Sequence, residues 1–150
     1  MADVESTSTG FEGSAPPHIR EALCLVLDVD DLVAARRTAA SLAPWFGTVK
    51  VGLELFSAAG PDAVASFVED GFRVFCDLKL HDIPNTVASA ARVLGSSGAR
   101  WVTVHTVGGE AMLRAAVEAL ADGASRVGAE APGVLGVTVL TSDQMAGREG

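Results

Sequence analysis

The sequence has two cysteines, few basic residues, and no apolar run long enough to cross a bilayer. Cys24 and Cys76 each sit inside an apolar segment. They show neither a metal-ligand spacing nor the density of a disulfide scaffold, so both read as buried free thiols of a reducing compartment. Lys and Arg number 11 against 19 Asp and Glu, a formal net charge of -8, which argues against a nucleic-acid surface, because neutralising a phosphate backbone needs clustered cations. A single phosphate on a small molecule stays within reach of a few local cations and a helix N-terminus. A membrane span needs roughly 18 apolar residues in a row and a secretory leader needs a basic start before an apolar centre. Neither pattern occurs, so the reading is a soluble, cytoplasmic protein. Residues Met1 to Pro17, rich in Ser, Thr, Gly and acids and closed by a Pro pair, read as a disordered tail before a domain over residues 18–150.

What is present is globular composition, 49% hydrophobic and 20% charged, with short Val/Leu/Phe runs alternating with longer Ala-rich amphipathic segments. That alternation is the pattern of βα units and a parallel sheet. Strands are expected at Leu23 to Val29, Thr48 to Leu53, Arg73 to Leu78, Trp101 to Thr106 and Val134 to Leu140. Helices are expected at Asp31 to Ala43, Pro61 to Asp70, Pro84 to Ser97 and Gly109 to Asp122, with Pro at starts and Gly past ends. Strand starts at 23, 48, 73, 101 and 134 are spaced like those of a (β/α)8 TIM barrel of about 250 residues. Five strands cannot close one, so the expectation is an α/β barrel truncated after about five βα units. A small open doubly wound sheet is the alternative, but the first strand runs into Asp28-Val29-Asp30-Asp31 and not into a Gly-rich phosphate loop.

The candidate chemistry lies at the end of the third strand. Period-2 alternation puts Phe75, Asp77 and Lys79 on one face, with Cys76, Leu78 and Leu80 on the other. A carboxylate and an ammonium thus emerge together at the C-terminal end of a parallel strand, where barrel enzymes keep their active sites. Asp82 follows, giving Asp77-x-Lys79-x-x-Asp82. By the same parity Asp28 leaves the first strand beside Val26 and Cys24, and Lys50 interrupts the apolar second strand. Charges in strands are costly unless paired, so Asp28, Lys50, Asp77 and Lys79 are expected to pair in alternating sign around one barrel mouth.

The string Asp77-Leu78-Lys79-Leu80-His81-Asp82-Ile83-Pro84-Asn85-Thr86 closely resembles the signature of the orotidine 5′-phosphate decarboxylases. Leu27-Asp28, Lys50-Val51-Gly52, Val104-His105-Thr106 and Val137-Thr138-Val139-Leu140-Thr141-Ser142 resemble its other blocks in order. The resemblance implies decarboxylation of orotidine 5′-phosphate to uridine 5′-phosphate without a cofactor or metal. It implies an obligate homodimer in which Lys79 donates the proton between Asp77 and Asp82 of the partner subunit. It sets Asp77 against the substrate carboxylate, Asp28 and Lys50 at the ribose hydroxyls, Thr86 at the ribose of the partner's ligand and Thr141 near the pyrimidine. Flanking carboxylates favour the ammonium form of the lysine against burial. The family's phosphate-holding Gly-Arg segment and later Arg and Gln have no counterpart before Gly150, so a protein ending there is expected to bind nucleotide poorly. Metal-dependent sugar-phosphate lyases of the same superfamily share Asp-x-Lys-x-x-Asp. They usually carry Gly where this chain has Ile83-Pro84-Asn85-Thr86. A non-catalytic assembly module with exposed sheet edges is the remaining alternative.

Plainer readings compete at each position. Asp82 suits a helix start as well as a site acid until Asp77 and Lys79 are counted with it. Lys50 alone would read as a snorkelling edge residue, and Asp30 or Asp31 as a helix cap. His81 and His105 are not spaced as metal ligands and read as locally bonded. Trp45 and Trp101 read as core or helix-packing residues, and Gly108-Gly109 as a tight turn before a helix.

Overall fold

A computed structural model of the chain describes residues 13–140 and residue 142. In chain order the elements are α1 (Pro17–Ala22), β1 (Cys24–Leu27), α2 (Leu32–Leu42), β2 (Thr48–Gly52), α3 (Leu53–Ala59), α4 (Pro61–Glu69), β3 (Arg73–Leu80), α5 (Pro84–Ser96), β4 (Trp101–His105), a 3-10 turn (Thr106–Gly108), α6 (Gly109–Arg126) and β5 (Gly133–Val137). All strand pairs are parallel and the sheet runs β1-β2-β3-β4-β5 without a reversal. A doubly wound sheet reverses its strand order at a switch point. Strictly sequential order with one crossover hand instead lays the helices on one face, as in a barrel wall.

That face holds the core. Val49, Val51, Val74, Cys76 and Val102 are fully buried in one cluster with Leu55, Val64, Phe67, Ala91 and Leu120 from the helices. Among the described residues no helix covers the opposite face: Val26 is 51% and Leu135 44% exposed. Cys24 has the parity of Val26 and is exposed, which corrects the expectation of two buried thiols. Cys76 has the other parity, and burial pushes its thiol pKa up to about 12.

Element ends follow hydrogen-bonding partners more closely than apolar runs. β5 stops at Val137 because β4, its one neighbour among the described residues, stops at the residue paired with it, His105. The second strand, expected to reach Leu53, ends at Gly52, and the stretch before Pro61 to which no element was assigned contains α3, until Gly60, at φ 63, turns the chain into α4. Asp31 caps α2, accepting the Val33 and Ala34 N–H groups at 2.8 and 3.2 Å. Most of the expected tail lies outside the described residues. Its boundary moves, however, since Pro17 already opens α1 and the Ala15 N–H donates to the Pro44 carbonyl at 3.0 Å. The Arg20 carbonyl then accepts the Gly47 N–H at 2.8 Å, and the Arg73 guanidinium donates to the Glu21 carbonyl, so α1 straps the N-terminal ends of the strands. Trp101 lies on the uncovered sheet face between the guanidinium groups of Arg73 and Arg100, 5.7 and 5.4 Å from its ring centre, and not under a helix.

α5 and α6 meet through reciprocal glycines. A Cβ on Gly95 would stand 2.2 Å from the Leu120 carbonyl oxygen, and one on Gly123 would stand 2.1 Å from that of Arg92. Neither backbone can yield without separating the helices. Gly95→Ala is therefore expected to destabilise the fold by about 1–3 kcal/mol through overpacking. Urea unfolding measures this, and an unchanged midpoint would contradict the close approach.

Candidate active site

β1, β2 and β3 end level with one another. Leu27 pairs with Val51 and Val51 with Cys76, and Gly52 pairs with Asp77, so Asp28, Gly52 and Asp77 form the next row across the sheet. The Lys50 side chain climbs into that row from below. Its Nζ lies 3.3 Å from Asp28 Oδ1 and 3.5 Å from Asp77 Oδ2, while Lys79 Nζ lies 2.8 Å from Asp77 Oδ1. Gly52 makes the space. A Cβ there would sit 3.0 Å from Asp28 Oδ1 and 3.4 Å from Lys50 Nζ, where the ion pair now runs.

The result is a neutral chain of four charges, acid-base-acid-base, on the uncovered face at the C-terminal strand ends. Asp77 and Lys50 are the more enclosed members, with side chains 16% and 17% exposed, against 33% for Lys79 and 58% for Asp28. Burial by itself would raise the Asp77 carboxyl. The Lys79 hydrogen bond and charge, the Thr103 hydrogen bond and the Lys50 charge outweigh it and hold the group below the usual carboxylate range.

The lysine is held in an uncommon backbone conformation. Lys79 has φ 52 and is the one non-glycine with positive φ among the described residues; for an L-residue the left-handed region costs roughly 1–2 kcal/mol. It sits where β3 and β4 lose register, between the pairs Cys76–Val102 and Leu80–Val104. The Thr103 hydroxyl accepts the Lys79 N–H at 2.8 Å and donates to Asp77 Oδ1 at 3.1 Å.

A cleft of about 570 Å3 lies elsewhere, lined by Val33, Arg36, Arg37, Ala40, Asp70 and Phe72. Arg36 and Asp70 are already paired there at 2.7 Å. The charged row is thus distinguished by its chemistry and its place at the strand ends, not by enclosure.

The model of the orotidine 5′-phosphate decarboxylase / HUMPS family matches residues 21–149. The chain belongs to this family. It is 50% identical over 125 residues to the orotidine 5′-phosphate decarboxylase of Moorella thermoacetica, covering 83% of this chain and 50% of that protein. It is 59% identical over 100 residues to that of Nitratidesulfovibrio vulgaris strain DP4, covering 67% and 41% respectively. Among solved structures, the orotidine 5′-phosphate decarboxylase from Lactobacillus acidophilus superposes with a TM-score of 0.74 at 36% identity, over 85% of this chain and 58% of that one. The chain spans about half the length of the curated relatives it matches, and its five-stranded wall is the corresponding part of the family's TIM barrel.

Within this family frame, the structure brings Asp28, Lys50, Asp77 and Lys79 together, and neither Asp82 nor Thr86 bonds to them among the described residues. Asp82 is exposed in the turn before α5 and accepts the Ile83 N–H at 2.6 Å; it forms no ion pair among the described residues. The helix-start reading of Asp82 fails by one residue, because Ile83 occupies the N-cap position and no side chain caps α5. Thr86 is exposed in the first turn of that helix, and Thr141 lies outside the described residues. The rings of His81 and His105 lie 5.4 Å apart, and neither takes part in the ion pairs of the row. Sequence reasoning missed Thr103 and Gly52. A threonine in a strand is an ordinary β-former, and the glycine's value is the space it leaves.

Asp77 also makes stability depend on pH. Its folded carboxyl lies below its unfolded value, so the contribution is present above the unfolded carboxylate pKa, about 3.9, and is lost as pH falls through the lower folded value. Asp77→Asn is expected to flatten the fall in unfolding free energy as pH drops below about 4, read from urea titrations across that range. A slope equal to that of the parent would show that the acid titrates normally.

Proposed function

We propose that the protein carrying this chain is an orotidine 5′-phosphate decarboxylase, which converts orotidine monophosphate to uridine monophosphate in de novo pyrimidine synthesis. It acts as a cytoplasmic homodimer with active sites shared between subunits. The observation that carries the reading is the Lys79 ammonium held 2.8 Å from the Asp77 carboxylate at the open strand ends, in a chain at least half identical to relatives of that name over 100 residues or more. The Ile83-Pro84-Asn85-Thr86 end of the string favours this branch of the family over its sugar-phosphate lyases.

The chemistry follows from the charge pattern. The bond between the pyrimidine ring and its carboxylate breaks, CO2 leaves, and the electron pair stays on a vinylic ring carbon with little resonance relief. An ammonium fixed beside that carbon stabilises the growing negative charge and then delivers its proton to it. The lysine amine regains its proton from water. Because Lys79 is both the electrostatic partner and the acid, the reaction needs no cofactor. Asp77 orients Lys79 and crowds the leaving carboxylate, and Lys50 and Asp28 meet the ribose hydroxyls. Asp82 of the partner subunit completes the set around Lys79, which fits an acid that is exposed and forms no ion pair among the described residues. Thr86 serves the ribose of the partner's ligand and Thr141 the pyrimidine.

Lys79→Ala in the protein at its natural length is expected to lower kcat by at least about 10³-fold, because it removes both the acid and the charge. The fold should persist, since the side chain is a third exposed. Ultraviolet absorbance follows orotidine monophosphate turnover without added metal, and a rate equal to the parent's would defeat the assignment. Inactive Lys79→Ala and Asp82→Asn subunits, mixed and exchanged, are expected to recover about a quarter of parent activity, as one intact composite site forms per mixed dimer. No recovery in proven heterodimers would rule out a shared site.

A further inference from the structure

β3 carries two more residues than β4 over the stretch that ends at the site. Cys76 pairs with Val102 and Leu80 with Val104, so Asp77, Leu78 and Lys79 together face the single residue Thr103. A bulge of this size interrupts the ladder, and its inner groups need other partners. Thr103, 5% exposed, supplies them. Its hydroxyl oxygen accepts the Lys79 N–H at 2.8 Å, and its O–H donates to Asp77 Oδ1 at 3.1 Å; the Cys76 carbonyl, 3.5 Å away, is the poorer acceptor for the same hydrogen. Asp77 Oδ1 is also the oxygen that binds the Lys79 ammonium. One buried hydroxyl therefore grips both the main chain of the lysine and the counter-ion of its side chain.

We infer that Thr103 is a positioning residue for the reaction: its hydroxyl locks the bulge that holds Lys79 in the left-handed conformation and aims the Asp77 carboxylate at the ammonium. This rests on the reading of Lys79 as proton donor. Thr103 touches no reacting atom; it acts through the two residues that do. The alternatives on β4 are poorer, because Val102 and Val104 are buried in the clusters on the helix face, and among the described residues no other side chain of that strand hydrogen-bonds the bulge. The groups facing Asp77 are Lys79 from its own strand, Lys50 from β2 with Asp28 behind it, and Thr103 from β4. Loss of the Thr103 donor leaves the two lysines to hold the carboxylate and moves its titration upward.

The test compares Thr103→Val, which keeps the branched shape and removes the hydroxyl, with Thr103→Ser, which keeps the hydroxyl. Thr103→Val should lower kcat by about 10- to 100-fold with KM within about threefold, as expected when a catalytic group is misaimed and ground-state binding is intact. The acid limb of its kcat–pH profile should move to higher pH, together with the Asp77 13Cγ titration followed by NMR. Thr103→Ser should stay within about threefold of the parent in kcat. If Thr103→Val does not fold, Thr103→Ser against Thr103→Ala makes the same comparison, since that pair differs by the hydroxyl alone. Parent-like kcat with an unmoved acid limb and unmoved Asp77 titration, or a rise in KM alone, would overturn the inference. The NMR titration needs no turnover, so it judges Thr103 even if Lys79→Ala shows that the decarboxylase reading is wrong.

Discussion

The charged row depends on one bulge, where β3 takes three residues to pass a single residue of β4 and turns Lys79 into the left-handed region. Regular pairing would carry Lys79 onward at the strand rise and keep its N–H in the ladder. The bulge shortens the path, and the ammonium folds back to 2.8 Å from the carboxylate two residues earlier. Such a backbone persists only when its surroundings over-determine it. Here they do, through the buried Thr103 hydroxyl on one side and the ion pair on the other.

The rest of the site is arranged by the fold with little further expense of sequence. Sequential parallel order brings the ends of neighbouring strands level, so an acid after β1 and an acid in β3 fall in one row with Gly52 between them. The gap left by that glycine admits the Lys50 ammonium from the row below. Charges that would each be costly on an apolar strand become a chain in which every member has an opposite neighbour. The helix layer on the other face carries the stability, which leaves the uncovered face free to hold polar groups.

Much of this was legible in the residues. Helix starts at Pro61, Pro84 and Gly109 fell where local signals put them, because Pro and capping preferences act within one turn. Parity along β3 separated Asp77 and Lys79 from Cys76 and Leu78, and burial follows that alternation. The errors share a cause. α3, the extra length of β3, the early end of β5 and the exposed Cys24 all turn on which segment lies alongside, and apolar runs alone do not record that.

The sequence by itself determined the alternation of strands and helices, the face on which each charge would emerge and, through the Asp77 to Thr86 string, the family. Those are properties of neighbours a few residues apart, fixed by backbone period and local chemistry. Only the tertiary structure decided that Thr103, 24 residues after Lys79, closes the bulge, that Gly52 matters for the space it leaves, and that Asp82 makes no ion pair with Lys79 among the described residues. Each of these is a distance between separate strands and loops. Such distances exist only once the parallel register has been set.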